Sequence, residues 1–338
     1  ELARRRLFIH PTGASEWPNG ERTARYTFHH ALLREAWSAR LSPARRQRLH
    51  LNFGKRLEAT YLHREEEVAA ELALHFTEGR DLSRAIHYHS IAGEKTNRQL
   101  AYHEAISHFS QAMALLDSLP PSRKRSAQEL RLHLALAIPL TATKGWAATE
   151  TWRAYSRAHE LSRQVGSFAE QCATLCGLWV GAYTRAELDA AHDLAQQLFH
   201  IAKRSRAPEL QMKAHHMLGN TLHRLGQLPT AREHLEQGIQ LYLLHHPQTQ
   251  GQRSGLDDGV AGLGYLAWVQ WALGYADQAQ KTIAEMLTLA RTLAHPLEVA
   301  WALNTAAWHA QFHKAVHTAQ RYAEEELYKF GLEQLYLA

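Results

Sequence analysis

From about residue 63 onward, apolar side chains return every three to four positions, in segments of roughly 12 to 18 residues parted by brief breaks. That period predicts amphipathic helices, and no alternating stretch interrupts it. Aligning the breaks on a small residue five positions before an alanine exposes a repeat. Gly226 stands in this relation to Ala231, with Leu218, Gly219 and Leu222 before the break and Leu235 and Gly238 after it. The frame returns at Gly274, preceded by Leu266 and Ala267 and followed by Ala276, Ala279, Ile283 and Met286. Upstream copies run through Leu188, Ala191, Ala195 and Leu198 and through Tyr102, Ala105, Phe109 and Ala112, with a fainter one through Leu82, Ala85, His89 and Ala92.

Small residues at fixed places let two antiparallel helices touch, while larger ones fill the groove between successive hairpins. One hairpin cannot cover its own apolar face, so neighbours must stack. The pattern predicts an all-α fold, a tetratricopeptide-like α-solenoid over 63–338. Its repeats are elongated, since Gly226 and Gly274 lie farther apart than the about 34 residues of a standard unit. The pattern stops in mid-repeat at 325–332, which predicts an array truncated at that end.

The first sixty residues read differently. Leu7-Phe8-Ile9 and Tyr26-Thr27-Phe28 are short β-prone runs separated by Pro11, Gly13, Pro18, Asn19 and Gly20, the signature of a hairpin with a long loop. A helix is expected from His30 to Arg40. Another is expected from Pro43 to about Tyr61, with Ser42 as N-cap and Pro43 in the first helical position. A hairpin feeding two helices is how a winged-helix module ends, so 1–62 is read as the end of such a module and 63–338 as the solenoid.

Composition sharpens this picture. Only 19 glycines and 10 prolines among 338 residues favour helices over strands and turns. A net charge of +5 is too mild, and the clusters Arg4-Arg5-Arg6, Arg45-Arg46-Gln47-Arg48 and Arg123-Lys124-Arg125 too short, for a nucleic-acid footprint. Cys172 and Cys176 form neither a disulfide framework nor a zinc quartet, which points to a reducing, cytoplasmic setting. No signal peptide opens the chain, and Glu1 in place of Met reads as the start of a piece of a longer polypeptide. The most apolar stretch, Val260 to Tyr275, falls short of the ~20 residues that span a bilayer.

Five segments carry a family resemblance: Tyr26-Thr27-Phe28-His29-His30-Ala31-Leu32-Leu33-Arg34-Glu35-Ala36, Lys144-Gly145-Trp146, Gly219 to Gly226, Ala231 to Gly238 and Tyr265 to Tyr275. They resemble the C-terminal half of bacterial adenylate/guanylate cyclase fusion proteins. There a class III cyclase, or a kinase or DNA-binding domain, precedes an AAA/STAND-type ATPase module, a winged helix and a long tetratricopeptide tail. The resemblance implies that ATP or ADP and Mg belong to domains upstream of Glu1. No Gly-x-x-x-x-Gly-Lys-[Ser/Thr] occurs here, so no cofactor is expected in this stretch.

The resemblance also singles out His30. The string His30-Ala31-Leu32-Leu33 is similar to the Met-His-Asp-Leu motif of STAND ATPases, whose histidine reaches the β-phosphate of ADP; Ala31 stands where that motif has its acidic residue. The alternative is a histidine that opens a helix and packs against the hairpin. His87 and His89 lie two apart, and His29-His30, His215-His216 and His245-His246 are adjacent, so each pair splays on a helix and lacks the i, i+3 or i, i+4 spacing of a helical metal site. No acid–base or nucleophile arrangement of known spacing occurs either, so no catalytic residue is named. Trp146, Trp179, Trp268, Trp271 and Trp301 lie in the solenoid and are candidate anchors for a protein or peptide on its concave face, unless they simply fill gaps between elongated repeats. Asp257-Asp258-Gly259 lacks the ligands of a calcium loop and reads as a turn and N-cap.

The sequence thus points to a regulatory, protein-interaction solenoid of a multidomain signalling ATPase coupled to a nucleotide cyclase, with ATPase and output domains in cis. The alternatives are the tail of a STAND-type transcriptional activator and a free-standing adaptor.

Overall fold

The computed structural model describes residues 8–18, 20, 22–205, 207–245, 256–312 and 314–325. The cluster Arg4-Arg5-Arg6, the expected strand start at Leu7, the loop from His246-Pro247 to Gly255 and the pattern beyond Glu325 lie outside the described residues. A two-stranded antiparallel sheet, β1 (Ile9–Glu16) and β2 (Arg22–Phe28), opens the chain. Both strands are longer than expected, because Pro11 and Gly13 fall inside β1 and not in the loop. Pro11 pairs with Tyr26, and the register shifts between Pro11 and Gly13, where Gly13 takes φ +121°. A two-stranded sheet leaves each strand one unpaired edge, which is where a missing N–H is tolerated.

Helices follow without further strands among the described residues. They are α1 (Ala31–Ala39), α2 (Pro43–Thr60), α3 (Ala69–Glu78), α4 (Leu82–Arg98), α5 (Tyr102–Asp117), α6 (Arg123–Lys144) and α7 (Thr149–Val165), with a 3-10 turn at Glu65–Val68. Then come α8 (Phe168–Thr184), α9 (Leu188–Arg204), α10 (Pro208–Arg224), α11 (Leu228–His245), α12 (Asp258–Ala272), α13 (Ala276–Leu293) and α14 (Pro296–Phe312), and a helical stretch over 316–325. Ser42 caps α2 by accepting from the Arg45 amide at 3.4 Å, with Pro43 in the first turn. Asp257 caps α12, its Oδ1 accepting from the amides of Gly259 and Val260.

The chain forms two compact units that part after Ser167. In the first, α2 adds Leu57 to the core of Leu72, Phe76, Ala85 and Tyr88. In the second, α8 to α14 pack as successive antiparallel neighbours, and alternate helices α8, α10, α12 and α14 also touch. Val260, Met286, Ala302 and Leu303 form a core there that is closed to solvent.

One turn recurs wherever the repeat frame was visible, and once more. Arg80, Leu100, Ala186, Gly226, Gly274 and Lys314 all adopt φ between +54° and +88°. Each lies five residues before an alanine: Ala85, Ala105, Ala191, Ala231 and Ala279 are wholly buried and Ala319 nearly so. At each turn the amide of the next residue reaches back to a carbonyl five positions earlier, as Gln227 does to Leu222 at 2.9 Å and Glu187 to Ala182 at 2.9 Å. This is the helix-ending geometry that satisfies the last carbonyls of a helix. Four of the six turns use a residue with a Cβ, against a cost of roughly 1–2 kcal/mol each.

Leu100→Gly and Ala186→Gly should therefore each raise stability by about 1 kcal/mol in urea unfolding. Ala231→Leu should lower it by about 1–3 kcal/mol through overpacking. Unchanged midpoints would show that the turn and its alanine carry little of the fold.

Candidate functional site

In the second unit α10 presents two chemically different sides. One is apolar and close-packed: a Cβ added at Gly219 would lie 2.5 Å from Leu235 Cγ, so the helix meets α11 nearly backbone to side chain. The other carries Lys213, His216, Asn220, His223 and Arg224, one stripe at helical spacing, turned towards α8 and α12. Lys213 Nζ lies 3.9 Å from Asp258 Oδ2, and that carboxylate raises the ammonium's pKa. Arg224 sits 4.8 Å over the Tyr183 ring and donates from Nε to its hydroxyl at 3.1 Å. His216 meets Tyr265 edge-on at 5.7 Å, and His223 lies 6.3 Å from Trp268.

Burial decides the ionisation of this stripe. Desolvation pushes His216 and His223 below the ordinary imidazole range, the second with help from Arg224, and pushes the Tyr265 hydroxyl up, so all three rings stay neutral near pH 7. Tyr265 also shares hydrogen bonds with Tyr183 and Asn220. Asn220, only 1% exposed, donates from Nδ2 to His216 Nε2 at 3.1 Å, which places the His216 proton on Nδ1. Burial raises the Cys176 thiol to about 11, which leaves it inert as a nucleophile.

Four polar atoms of this cluster are buried with no hydrogen-bond partner: His216 Nδ1, Asn220 Oδ1, His223 Nδ1 and Trp268 Nε1. Each such group costs about 1–3 kcal/mol of desolvation, so four within one patch call for polar partners beyond the chain's own side chains, ordered water or a ligand. Two are donors, His216 Nδ1–H and Trp268 Nε1–H, and one, Asn220 Oδ1, is an acceptor. Tyr265, Trp268 and Trp301 wall the patch, with Tyr265 5.3 Å from Trp268 and 5.9 Å from Trp301.

The structure separates the five tryptophans. Trp268 and Trp301 belong to this patch. Trp271 stacks on Phe312 at 6.0 Å and meets His309 edge-on. Trp179 is 7% exposed, stacks on Tyr183 at 5.0 Å and donates to Thr221 Oγ1 at 2.9 Å, so it ties α8 to α10 instead of facing outward. Trp146 stacks on Tyr155 at 5.8 Å in the first unit. His30 is exposed at the start of α1, and its Nδ1 accepts from the Leu32 amide at 3.2 Å, leaving Nε2 to carry the ring proton. Sequence reasoning missed Asn220, His216, His223 and Arg224. Their signal was legible as a polar stripe at 213, 216, 220, 223 and 224, at the three- and four-residue spacing of one helix face.

Among the described residues, no three His, Cys, Asp or Glu side chains are grouped to hold a metal ion, and no helix is long and apolar enough to cross a membrane.

No family model matches the chain. An uncharacterized protein of Rhizobium meliloti (strain 1021) is 25% identical over 292 residues, which cover 85% of this chain and 28% of that protein. The chain thus spans little more than a quarter of this relative's length. Apo RapI superposes with a TM-score of 0.61 at 12% identity, over 75% of this chain and 85% of that one. A STAND protein (signal transduction ATPase with numerous domains) from Pyrococcus horikoshii, with a tetratricopeptide repeat sensor, superposes with a TM-score of 0.57 at 12% identity, over 87% of this chain and 46% of its own. These likenesses establish an all-α, tetratricopeptide-like repeat fold.

Trp179→Phe should cost about 1–2 kcal/mol in thermal or urea unfolding without any ligand present, through the lost bond to Thr221 and lost packing. An unaltered midpoint would return Trp179 to the exposed anchors.

Proposed function

We propose that this chain is the partner-sensing part of a larger signalling protein, and that it binds an extended peptide or protein segment against the α8, α10 and α12 face of its second unit. The observation that carries this reading is the patch of unpartnered polar atoms between aromatic walls. A peptide unit offers one donor and one acceptor. Its carbonyl suits His216 Nδ1–H or Trp268 Nε1–H, and its N–H suits Asn220 Oδ1. The two cations nearby are already engaged, Lys213 by Asp258 and Arg224 by Tyr183, so the site favours a neutral backbone over a free anion.

The parent is read as a STAND-type ATPase, with ATP or ADP and Mg held in domains upstream of Glu1 and a nucleotide cyclase as output, all cytoplasmic. The sequence resemblance supports this, as do the longer Rhizobium relative and the fold shared with a STAND sensor. Ligand binding shifts the population of nucleotide states by its unequal affinity for them. His30 is assigned to the ADP phosphate through its Nε2–H, because its Nδ1 is used by the helix. Reading the coding sequence upstream of Glu1 tests the parent: a phosphate-binding loop after a cyclase domain supports it, and a DNA-binding domain in the cyclase's place makes the chain an activator tail.

Peptides selected from a random displayed library against the full chain should bind with Asn220 engaged. Asn220→Ala should weaken them roughly tenfold or more, equivalent to about 1.4 kcal/mol or above, while Trp146→Phe leaves them unchanged. Binding indifferent to Asn220, or sensitive to Trp146 instead, removes the site.

A further inference from the structure

Two helical hairpins are joined by the same pair of imidazoles. His89 of α4 and His108 of α5 approach Nδ1 to Nδ1 at 3.1 Å, and His215 of α10 and His234 of α11 do so at 3.0 Å. Both pairs occupy the same places in the repeat frame: the first histidine lies sixteen residues before the buried alanine, Ala105 or Ala231, and the second lies three after it. The α8/α9 hairpin holds Leu175 and Leu194 in those places, and the α12/α13 hairpin holds Leu263 and Thr282. A hairpin of this fold therefore closes without imidazoles. A third contact, His50 to His75 at 2.9 Å, joins α2 to α3.

The surroundings of the two framed pairs are well defined. His89 is 3% and His215 9% exposed. The Phe199 ring of α9 stands edge-on to both His215 and His234, with centroids at 5.1 and 5.4 Å. His89 reaches Thr77 Oγ1 of α3 through its other nitrogen at 3.2 Å. Among the described residues, the charged groups acting on these four rings are Glu104, beside His108, and Glu233, beside His234. Neither makes an ion pair strong enough to keep its ring charged, since both rings are shifted towards the neutral form.

An Nδ1-to-Nδ1 contact at this distance is one hydrogen bond, from the N–H of one ring to the lone pair of the other. A first proton can enter only on Nε2 of the donor ring, and it places a cation among apolar side chains. A second proton occupies the acceptor's lone pair, removes the bond and sets two cations about 3 Å apart.

We propose that the His89–His108 and His215–His234 pairs are proton-operated clasps: neutral, they hold α4 to α5 and α10 to α11, and on acidification they release those helices from each other. In the second unit the release acts on α10, the helix that carries the polar stripe, so ligand binding there weakens with it. That last clause rests on the function proposed above; the clasp does not.

Burial lowers the pKa of all four rings, and takes His89 and His215 from 6.5 to about 4. A histidine whose folded pKa is depressed gives its full stabilisation above the unfolded value and loses it as pH falls. The window for release therefore runs from 6.5 down to about 4.

Amide hydrogen exchange on the full chain, corrected for the intrinsic pH dependence, reads this helix by helix, with α8/α9 as internal control. Opening of α10/α11 relative to α8/α9 should rise about tenfold between pH 7.5 and pH 5, a figure that allows for partial hydration of the rings. The double variant His215→Leu/His234→Leu copies the α8/α9 pair and should cut the rise severalfold, the remainder belonging to the buried His216 and His223 of α10; His215→Gln/His234→Gln serves if the leucines disturb folding. Equal pH responses in the two wild-type hairpins, or an undiminished rise in the variant, overturns the proposal. A library-selected peptide should be retained by the variant at pH 5 but released by the wild type. Should no peptide bind at any pH, the ligand reading fails while the exchange result still decides the clasp.

Discussion

The constraint on which this molecule depends is that two helices must reverse within three or four residues and still touch. A left-handed residue ends the first helix, and five residues later a buried alanine leaves room for the first helix to lie against the second. The turn alone would allow a splayed pair, and the alanine alone would not set its phase. Where both are present, at Arg80, Leu100, Ala186, Gly226, Gly274 and Lys314, the hairpin closes in the same way despite sharing few other residues. The α6/α7 connection lacks the pair: it passes through Gly145 at φ +84° and an extended Ala148, with Thr151 Oγ1 bonded to the Gly145 carbonyl.

Close approach on one side of a helix frees the other side for different chemistry. In α10, Gly219 settles against Leu235 and His215 against His234, so the contact with α11 makes no demand on 213, 216, 220, 223 and 224. Those positions are polar, and burial keeps their imidazoles neutral. A patch with unspent donors and acceptors destabilises the free protein, and that cost is tolerated at binding sites, where a ligand repays it. The fold and the proposed function therefore use opposite faces of one helix.

Much of this was legible in the sequence, for physical reasons that differ by element. The alanine frame was visible because steric exclusion at a helix crossing admits few residue types. Its sixth copy, at Lys314 and Ala319, was not singled out from the sequence. Strand β1 was misjudged because Pro11 and Gly13 are loop markers everywhere except on an exposed edge. The tryptophans were visible as types and not as roles: Trp179 reads like Trp268 until the bond to Thr221 is seen. The histidine pairs depend on which residues face each other across a hairpin, and that information lies in the register between helices, which a residue list does not carry.

The most direct test of the central claim is a titration of the isotopically labelled chain with a selected peptide, followed through the indole N–H resonances of its nine tryptophans. A ligand seated against α10 and α12 gives the unpartnered Trp268 indole an acceptor and alters the ring environment of Trp301, so these two resonances should move first and farthest. Movement confined to Trp17, Trp146 or Trp308, with Trp268 and Trp301 unchanged at saturation, would contradict it.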